Sequence, residues 1–292
     1  MRLDRAFLFA AICAALAGGA ATQAWAQAGQ NGGSARIYNT VKQKLAEGKQ
    51  VVGGTVSLAD PEAYCAMANA GFDFLWIEMQ HSPLTYQDVA RMIWSCRDAP
   101  AIPFIRIPDA TEGDIQKATD IGALGIIIPM VDRIEKVENA IKFGSYPPRG
   151  ARSQGGGQYR ALWGSDYRQS ANSNIMIVAM IESPPGVEIV KEIAALPEVD
   201  VIFAASTDLG SFSALRQGDP KYEAMVTEIH DAVLAAGKQL GGPLAWRDRD
   251  GYTFFQGPGQ TSLIRDGAEL ALKGKPAEAE KPGVAPIEGT EP

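Results

Sequence analysis

From residue 51 to residue 256 the chain alternates short, largely apolar runs with amphipathic stretches. The runs 51–58, 72–77, 102–107, 124–129, 175–181, 201–204, 239–244 and 252–256 are predicted strands. The stretches 61–70, 85–96, 111–121, 133–143, 186–195 and 220–236 are predicted helices, with a first helix over 35–48 and a final one over 260–272. A strand that is apolar on both faces must be covered on both faces, which calls for a parallel sheet wrapped in helices. Eight strands alternating with helices over this length predict an α/β fold, a closed (β/α)8 (TIM) barrel preceded by an extra N-terminal helix. A doubly wound open sheet is the second choice, and the first strand lacks the G-x-G-x-x-G that would favour it. Residues 246–251 are too few for the helix expected between the last two strands.

Both ends of the chain fall outside this pattern. Arg2 and Arg5 give a basic start, residues 6–17 form an unbroken apolar run, and Ala24-Trp25-Ala26 follows as an A-x-A cleavage site. The run is well short of the roughly 20 residues that span a bilayer. Residues 1–26 therefore read as a signal peptide cut after Ala26, and the protein as periplasmic or secreted. Residues 27–34 read as a flexible Gly/Gln/Ser linker, 35–273 as the barrel, and 274–292, with Pro276, Pro282, Pro286 and Pro292, as a disordered tail. Removing the leader removes Cys13 and leaves Cys65 and Cys96 on neighbouring helices. Bridge geometry is narrow, so two separate half-buried thiols are expected.

Composition narrows the chemistry. The 292 residues carry 27 basic and 34 acidic side chains, a net charge of −7, and only His81 and His230 as histidines. An acidic surface argues against nucleic acid as partner, and no His/Cys zinc cluster can be assembled. Once the leader is gone nothing calls for a membrane. Pockets in such barrels lie at the C-terminal ends of strands, and those ends are polar here. Glu182 and Asp208 follow adjacent strands; they suit Mg²⁺ or Mn²⁺, or they cap the helices after them. His81 is a candidate general base or a structural histidine. Asp120 either holds the far nitrogen of His81 or is a solvated helix end. Arg106, flanked by apolar residues, needs an anion, either Glu78 or a substrate oxygen. His230, in a helix away from any strand end, reads as structural.

These residues, with Pro61-Glu62, Ala70-Gly71-Phe72-Asp73, Ile77-Glu78-Met79-Gln80-His81-Ser82-Pro83, Pro129-Met130-Val131, Tyr146-Pro147-Pro148-Arg149-Gly150-Ala151-Arg152, Ile181-Glu182 and Thr207-Asp208-Leu209, resemble the HpcH/HpaI (hydroxy-oxo-heptanedioate) aldolases from about Val51 to Leu272. The resemblance implies a metal-dependent class II carbon–carbon lyase working through a pyruvate enolate. It implies that Glu182 and Asp208 hold the divalent metal, with Co²⁺ and Zn²⁺ as further candidates. It makes His81 the base, acting through a water on the metal, with Asp120 as its dyad partner. Arg106 would hold the 2-oxo oxygen, and Ser206, Thr207 and Asp208 would receive the carboxylate. It also implies a homo-oligomer, trimeric or hexameric. Three departures border the donor pocket. Met79-Gln80-His81 stands for Gly-Glu-His, Met180-Ile181-Glu182 for Gln-x-Glu, and Ala205-Ser206 for Gly-Pro.

Retro-aldol cleavage of a hydroxy-oxo acid by an exported enzyme is the first expectation. Another metal-dependent lyase or hydrolase on the same scaffold, or an exported organic-acid-binding protein without catalysis, are the alternatives. The leader makes a direct prediction: protein recovered from its native host should begin at Gln27 by mass spectrometry, and an intact Met1 on the cytoplasmic protein would contradict export.

Overall fold

A computed structural model describes residues 35–273; the expected signal peptide, the linker and the tail lie outside the described residues. Eight strands close into a barrel in chain order, every neighbouring pair parallel. They are β1 (Val51–Val56), β2 (Phe74–Glu78), β3 (Ile102–Arg106), β4 (Gly125–Ile128), β5 (Met176–Ile181), β6 (Val199–Ala204), β7 (Gln239–Pro243) and β8 (Tyr252–Gly259). The extra first helix is α1 (Thr40–Ala46), followed by α2 (Pro61–Ala68), α3 (Tyr86–Ser95), α4 (Glu112–Asp120) and α5 (Ile134–Gly144). Then come α6 (Tyr159–Trp163), α7 (Tyr167–Asn174), α8 (Pro184–Glu188), α9 (Val190–Ala195), α10 (Ser206–Ser213), α11 (Pro220–Ala235) and α12 (Gln260–Lys273). Helix starts carry their own signals: Asn39, Asp60, Thr85, Thr111, Ser183 and Asp219 each accept a backbone N–H in the first turn.

Three helices go beyond the pattern. The Gly-rich stretch after α5 holds α6 and α7, and α10 starts directly at the end of β6. Between β7 and β8 there is only a 3₁₀ turn, Leu244–Trp246, with Trp246 buried over the strands. Among the described residues no helix is long and apolar enough to cross a membrane. In α12 only Gln260 is buried, and Ile264, Leu270 and Leu272 are exposed at 64%, 49% and 87%.

The barrel interior is filled by rings set against glycines. Phe74 lies 4.5 Å from Phe254 and 4.8 Å from Phe104, and Trp76 lies 5.1 Å from Phe203. A Cβ at Gly53 would sit 2.1 Å from Phe74, and one at Gly125 2.2 Å from Phe104. These two glycines surrender side-chain volume so that large rings can close the barrel, and each ring pair adds roughly 0.5–1.5 kcal/mol beyond its burial.

The expectation of two separate thiols does not hold. Cys65 in α2 and Cys96 at the end of α3 form a disulfide with a Cα–Cα separation of 5.4 Å, inside the usual range. Packing of α2 on α3 places the two residues within bridging distance, which spacing alone does not reveal. Protein starting at Gln27, unfolded without reductant, should show no thiol to a thiol-reactive dye. Replacing Cys65 and Cys96 together by serine should cost about 3 kcal/mol in denaturant unfolding; two free thiols in the oxidised protein would contradict the bridge.

Candidate active site

The site grows out of strand alternation. Residues two apart on a strand share a face, so Glu78 continues the inward face of Phe74 and Trp76, and Arg106 that of Phe104. In the β2–β3 ladder Trp76 stands beside Phe104 and Glu78 beside Arg106. Glu182, one residue past β5, reaches into the same mouth. All three are buried, at 7%, 5% and 1% exposure for Glu78, Arg106 and Glu182.

Arg106 is wedged between the two glutamates. Its Nη1 donates to Glu78 Oε2 at 3.2 Å, and its Nη2 donates to Glu182 Oε1 at 3.2 Å and Oε2 at 3.4 Å. Each carboxylate is gripped from its other side. Glu78 Oε1 accepts the backbone N–H groups of Gln80 at 2.9 Å and His81 at 3.0 Å, while the Trp76 indole donates to Oε2 at 3.3 Å. The Ser82 hydroxyl closes the turn onto the Glu78 carbonyl. Glu182 Oε1 also accepts the Met130 N–H at 2.9 Å. Met130 takes a left-handed backbone, φ 51°, to aim that donor, a conformation costly for a residue with a side chain.

Asp208, in the first turn of α10, adds a third acid. Burial pushes the Glu182 carboxyl up to about 7; Arg106 and the Met130 N–H oppose this, and Asp208 reinforces it through a hydrogen bond and its charge. Two acids thus face one arginine with a third, Asp208, beside Glu182, and the excess calls for a proton or a cation between Glu182 and Asp208. A pair of carboxylates is an oxygen donor set suited to a hard divalent ion. Among the described residues no cluster of three or more His, Cys, Asp and Glu could hold a metal, so the remaining positions would fall to water and substrate.

The other expected residues are placed as follows. His81 is on the loop after β2, held by its backbone to Glu78, with its ring exposed at the mouth. Ser206, Thr207 and Asp208 open α10 ahead of its first internal bond, from Leu209 N to Ala205 O, so their N–H groups lie in the anion-attracting turn. Ser206 is additionally tied through its carbonyl to the Tyr222 hydroxyl at 3.0 Å. Asp120 is not brought to His81 within the chain. It ends α4, which runs from the mouth toward the opposite end of the barrel over about 13 Å. There its Oδ1 accepts Arg152 Nη2 and its Oδ2 accepts Gln116 Nε2, both at 2.9 Å. Arg152, itself buried, lies 4.6, 5.3 and 5.4 Å from the rings of Tyr146, Tyr159 and Tyr167. His230 pairs with Asp231 on α11, away from the mouth. Sequence reasoning missed the Arg106–Glu182 contact and the Met130 donor; the shared inward parity of 78, 106 and 182 would have revealed the first.

The sequence pattern of the HpcH/HpaI aldolase/citrate lyase family matches residues 55–256, which include every residue of this mouth. The chain belongs to that family. It is 35% identical over 213 residues to a hydroxypyruvate/pyruvate aldolase of Deinococcus radiodurans, covering 70% of this chain and 76% of that protein. It is 31% identical over 210 residues to one of Pseudomonas aeruginosa, covering 70% and 78%. The crystal structure of an HpcH/HpaI aldolase/citrate lyase family protein from Burkholderia cenocepacia superimposes with a TM-score of 0.74 at 28% identity, over 80% of this chain and 98% of that one. This HpcH/HpaI protein thus stands among carbon–carbon lyases of the aldolase type.

The wedge predicts a stability cost. Arg106→Ala leaves two buried glutamates without their cation and should destabilise the chelator-treated protein by about 3–5 kcal/mol. A loss below 1 kcal/mol in urea unfolding would mean that the pairs contribute no net stability.

Proposed function

We propose that this HpcH/HpaI protein is an exported, divalent-metal-dependent aldolase that cleaves a hydroxy-oxo acid into an aldehyde and a 2-oxo acid. The observation that carries the reading is the buried Glu78–Arg106–Glu182 array with Asp208 beside Glu182 at the barrel mouth. Glu182 and Asp208 would hold the metal, with Mg²⁺ or Mn²⁺ favoured by the all-oxygen donor set. Bound there, the ion supplies Lewis-acid stabilisation of the 2-oxo oxygen as it gains charge.

The chain's own groups account for the rest. Arg106 donates N–H bonds to the same oxygen, and the two glutamates hold its guanidinium in place before the reaction begins. Such fixed donors act most strongly in a site shielded from water. The opening N–H groups of α10, at Ser206, Thr207 and Asp208, receive the carboxylate. His81 takes the proton from the C4 hydroxyl. The C3–C4 bond then breaks, its electron pair passing to C3 and the 2-oxo group as an enolate while C4 leaves as the aldehyde. Protonation at C3 releases the 2-oxo acid.

Asp120 within one chain serves Arg152 and not His81, so the mechanism does not rely on it for the tautomer of His81 in that chain. The exposed Ile264, Leu270 and Leu272 of α12 support the homo-oligomer, because a second copy covering them would bury apolar surface. The Cys65–Cys96 bridge supports an oxidising compartment, and so export.

Calorimetric titration with Mg²⁺ and Mn²⁺ tests the metal site: Glu182→Gln and Asp208→Asn should each weaken binding at least tenfold. His81→Ala should cut product formation about 10²–10⁴-fold while leaving metal affinity intact. Cleavage of no hydroxy-oxo acid by metal-saturated wild type would favour the binding-protein alternative, and full activity of His81→Ala would remove the histidine from the mechanism.

A further inference from the structure

The mouth is not closed evenly around the barrel. On β8 the ring of Phe254 packs inward on Phe74 and Phe104, so Gln256, two residues on, points inward as well. On β1 a Cβ at Gly53 would meet the Phe74 ring, which turns Thr55 to the same side. On β7 a Cβ at Gly241 would meet Phe203 and Phe254, which turns Pro243 inward, and Pro243 is the ladder partner of Gln256. Thr55, Pro243 and Gln256 are all half-buried, whereas Glu78, Arg106, Met180 and Phe203, on β2, β3, β5 and β6, are at most 7% exposed. Gly257 and Gly259 bring no side chain to cover the three. The mouth therefore stays open to solvent along β7, β8 and β1.

One polar group on that open arc is uncommitted. Thr55 Oγ1 donates to the Gly257 carbonyl at 3.0 Å and accepts Gln256 Nε2 at 3.5 Å. The second bond is long, so it orients the amide without saturating it. Among the described residues Gln256 Oε1 accepts no hydrogen bond, and Nε2 keeps its second hydrogen. An acceptor beside a spare donor matches a hydroxyl, which both donates and accepts. None of the three inward side chains is basic, so a carboxylate would find no counter-charge among them. The place along the barrel fits as well. In the reading above, β3, β5 and the start of α10 hold the 2-oxo acid half, and His81 after β2 meets the C4 hydroxyl. Because β2 lies between β3 and β1, the substrate beyond C4 continues past His81 toward β1 and β8.

We infer that Gln256, oriented by Thr55, is the specificity residue for the aldehyde half of the substrate and takes a hydroxyl on its C5. This rests on the aldolase reading and deepens it by naming the substrate class: 4-hydroxy-2-oxo acids hydroxylated at C5, which release a 2-hydroxyaldehyde in place of an alkyl aldehyde. The bond that breaks is still C3–C4, and the C5 hydroxyl leaves unchanged on the aldehyde. A net hydrogen bond in a half-buried place is modest, so the preference should be about 3–10-fold.

The measurement is pyruvate release from 4,5-dihydroxy-2-oxopentanoate and from 4-hydroxy-2-oxopentanoate, which differ only in the C5 hydroxyl, by the full mature chain with Mg²⁺ supplied. Wild type should cleave the dihydroxy acid with kcat/KM about 3–10-fold higher. Gln256→Met, unbranched and of similar volume, should erase that preference, chiefly by raising KM for the dihydroxy acid. Thr55→Val, which releases the amide, should weaken the preference and serves where Gln256→Met does not fold. No preference in wild type, or an undiminished preference in Gln256→Met, overturns the inference while leaving the aldolase reading in place. Cleavage of neither acid, with the C3 protons of pyruvate still exchanging into D₂O, overturns the inference alone. Absence of that exchange as well removes the enolate chemistry, and the inference with it.

Discussion

One buried cation organises the mouth of this barrel. Arg106 would be prohibitively costly to desolvate alone, and it is tolerated because Glu78 and Glu182 meet it from two strands. The pairing fixes more than its own side chains. Through Glu78 it anchors the backbone turn that carries His81, and through Glu182 it anchors the left-handed turn at Met130. The ends of β2, β3 and β5 and the loop after β4 are thereby held to a single group. A site built in this way has its donors positioned before substrate arrives, which is the condition for stabilising charge that develops only during reaction.

The apolar column below makes that array effective. Phe74, Phe104, Phe254, Trp76, Phe203 and Met180 exclude water from beneath it, with Gly53 and Gly125 giving the rings their space. Charges above such a floor interact more strongly than they would in water. The same packing explains the raised proton affinity of Glu182, where burial outweighs the pull of Arg106. Stability and chemistry thus draw on one feature: polar groups confined to the top layer of an otherwise dry barrel.

Much of this was legible in the sequence, for definable reasons. Strands buried on both faces leave unbroken apolar runs, so all eight were found with their ends shifted by only a few residues. Polar residues at the ends of such runs stand out, which singles out Glu182, Asp208, His81 and Arg106 in the sequence. What escaped depends on tertiary placement. The glycines before Tyr159 hid α6 and α7, and α10 was obscured because its first turn follows β6 with a single residue between. The Cys65–Cys96 bridge needs the packing of α2 on α3. Asp120 could be named but not located: the length of α4 takes it away from His81 and into the tyrosine-lined surroundings of Arg152.

The central claim is that the Glu78–Arg106–Glu182 array, with Asp208, is the half of a catalytic centre that the protein itself supplies. A crystal structure grown with Mn²⁺ and oxalate, a stable mimic of the enolate, tests it most directly. The account predicts an anomalous Mn²⁺ peak bonded to Glu182 and Asp208, with an Arg106 N–H on an oxalate oxygen. Saturating Mn²⁺ that binds elsewhere or nowhere, with oxalate absent from the mouth, would contradict it.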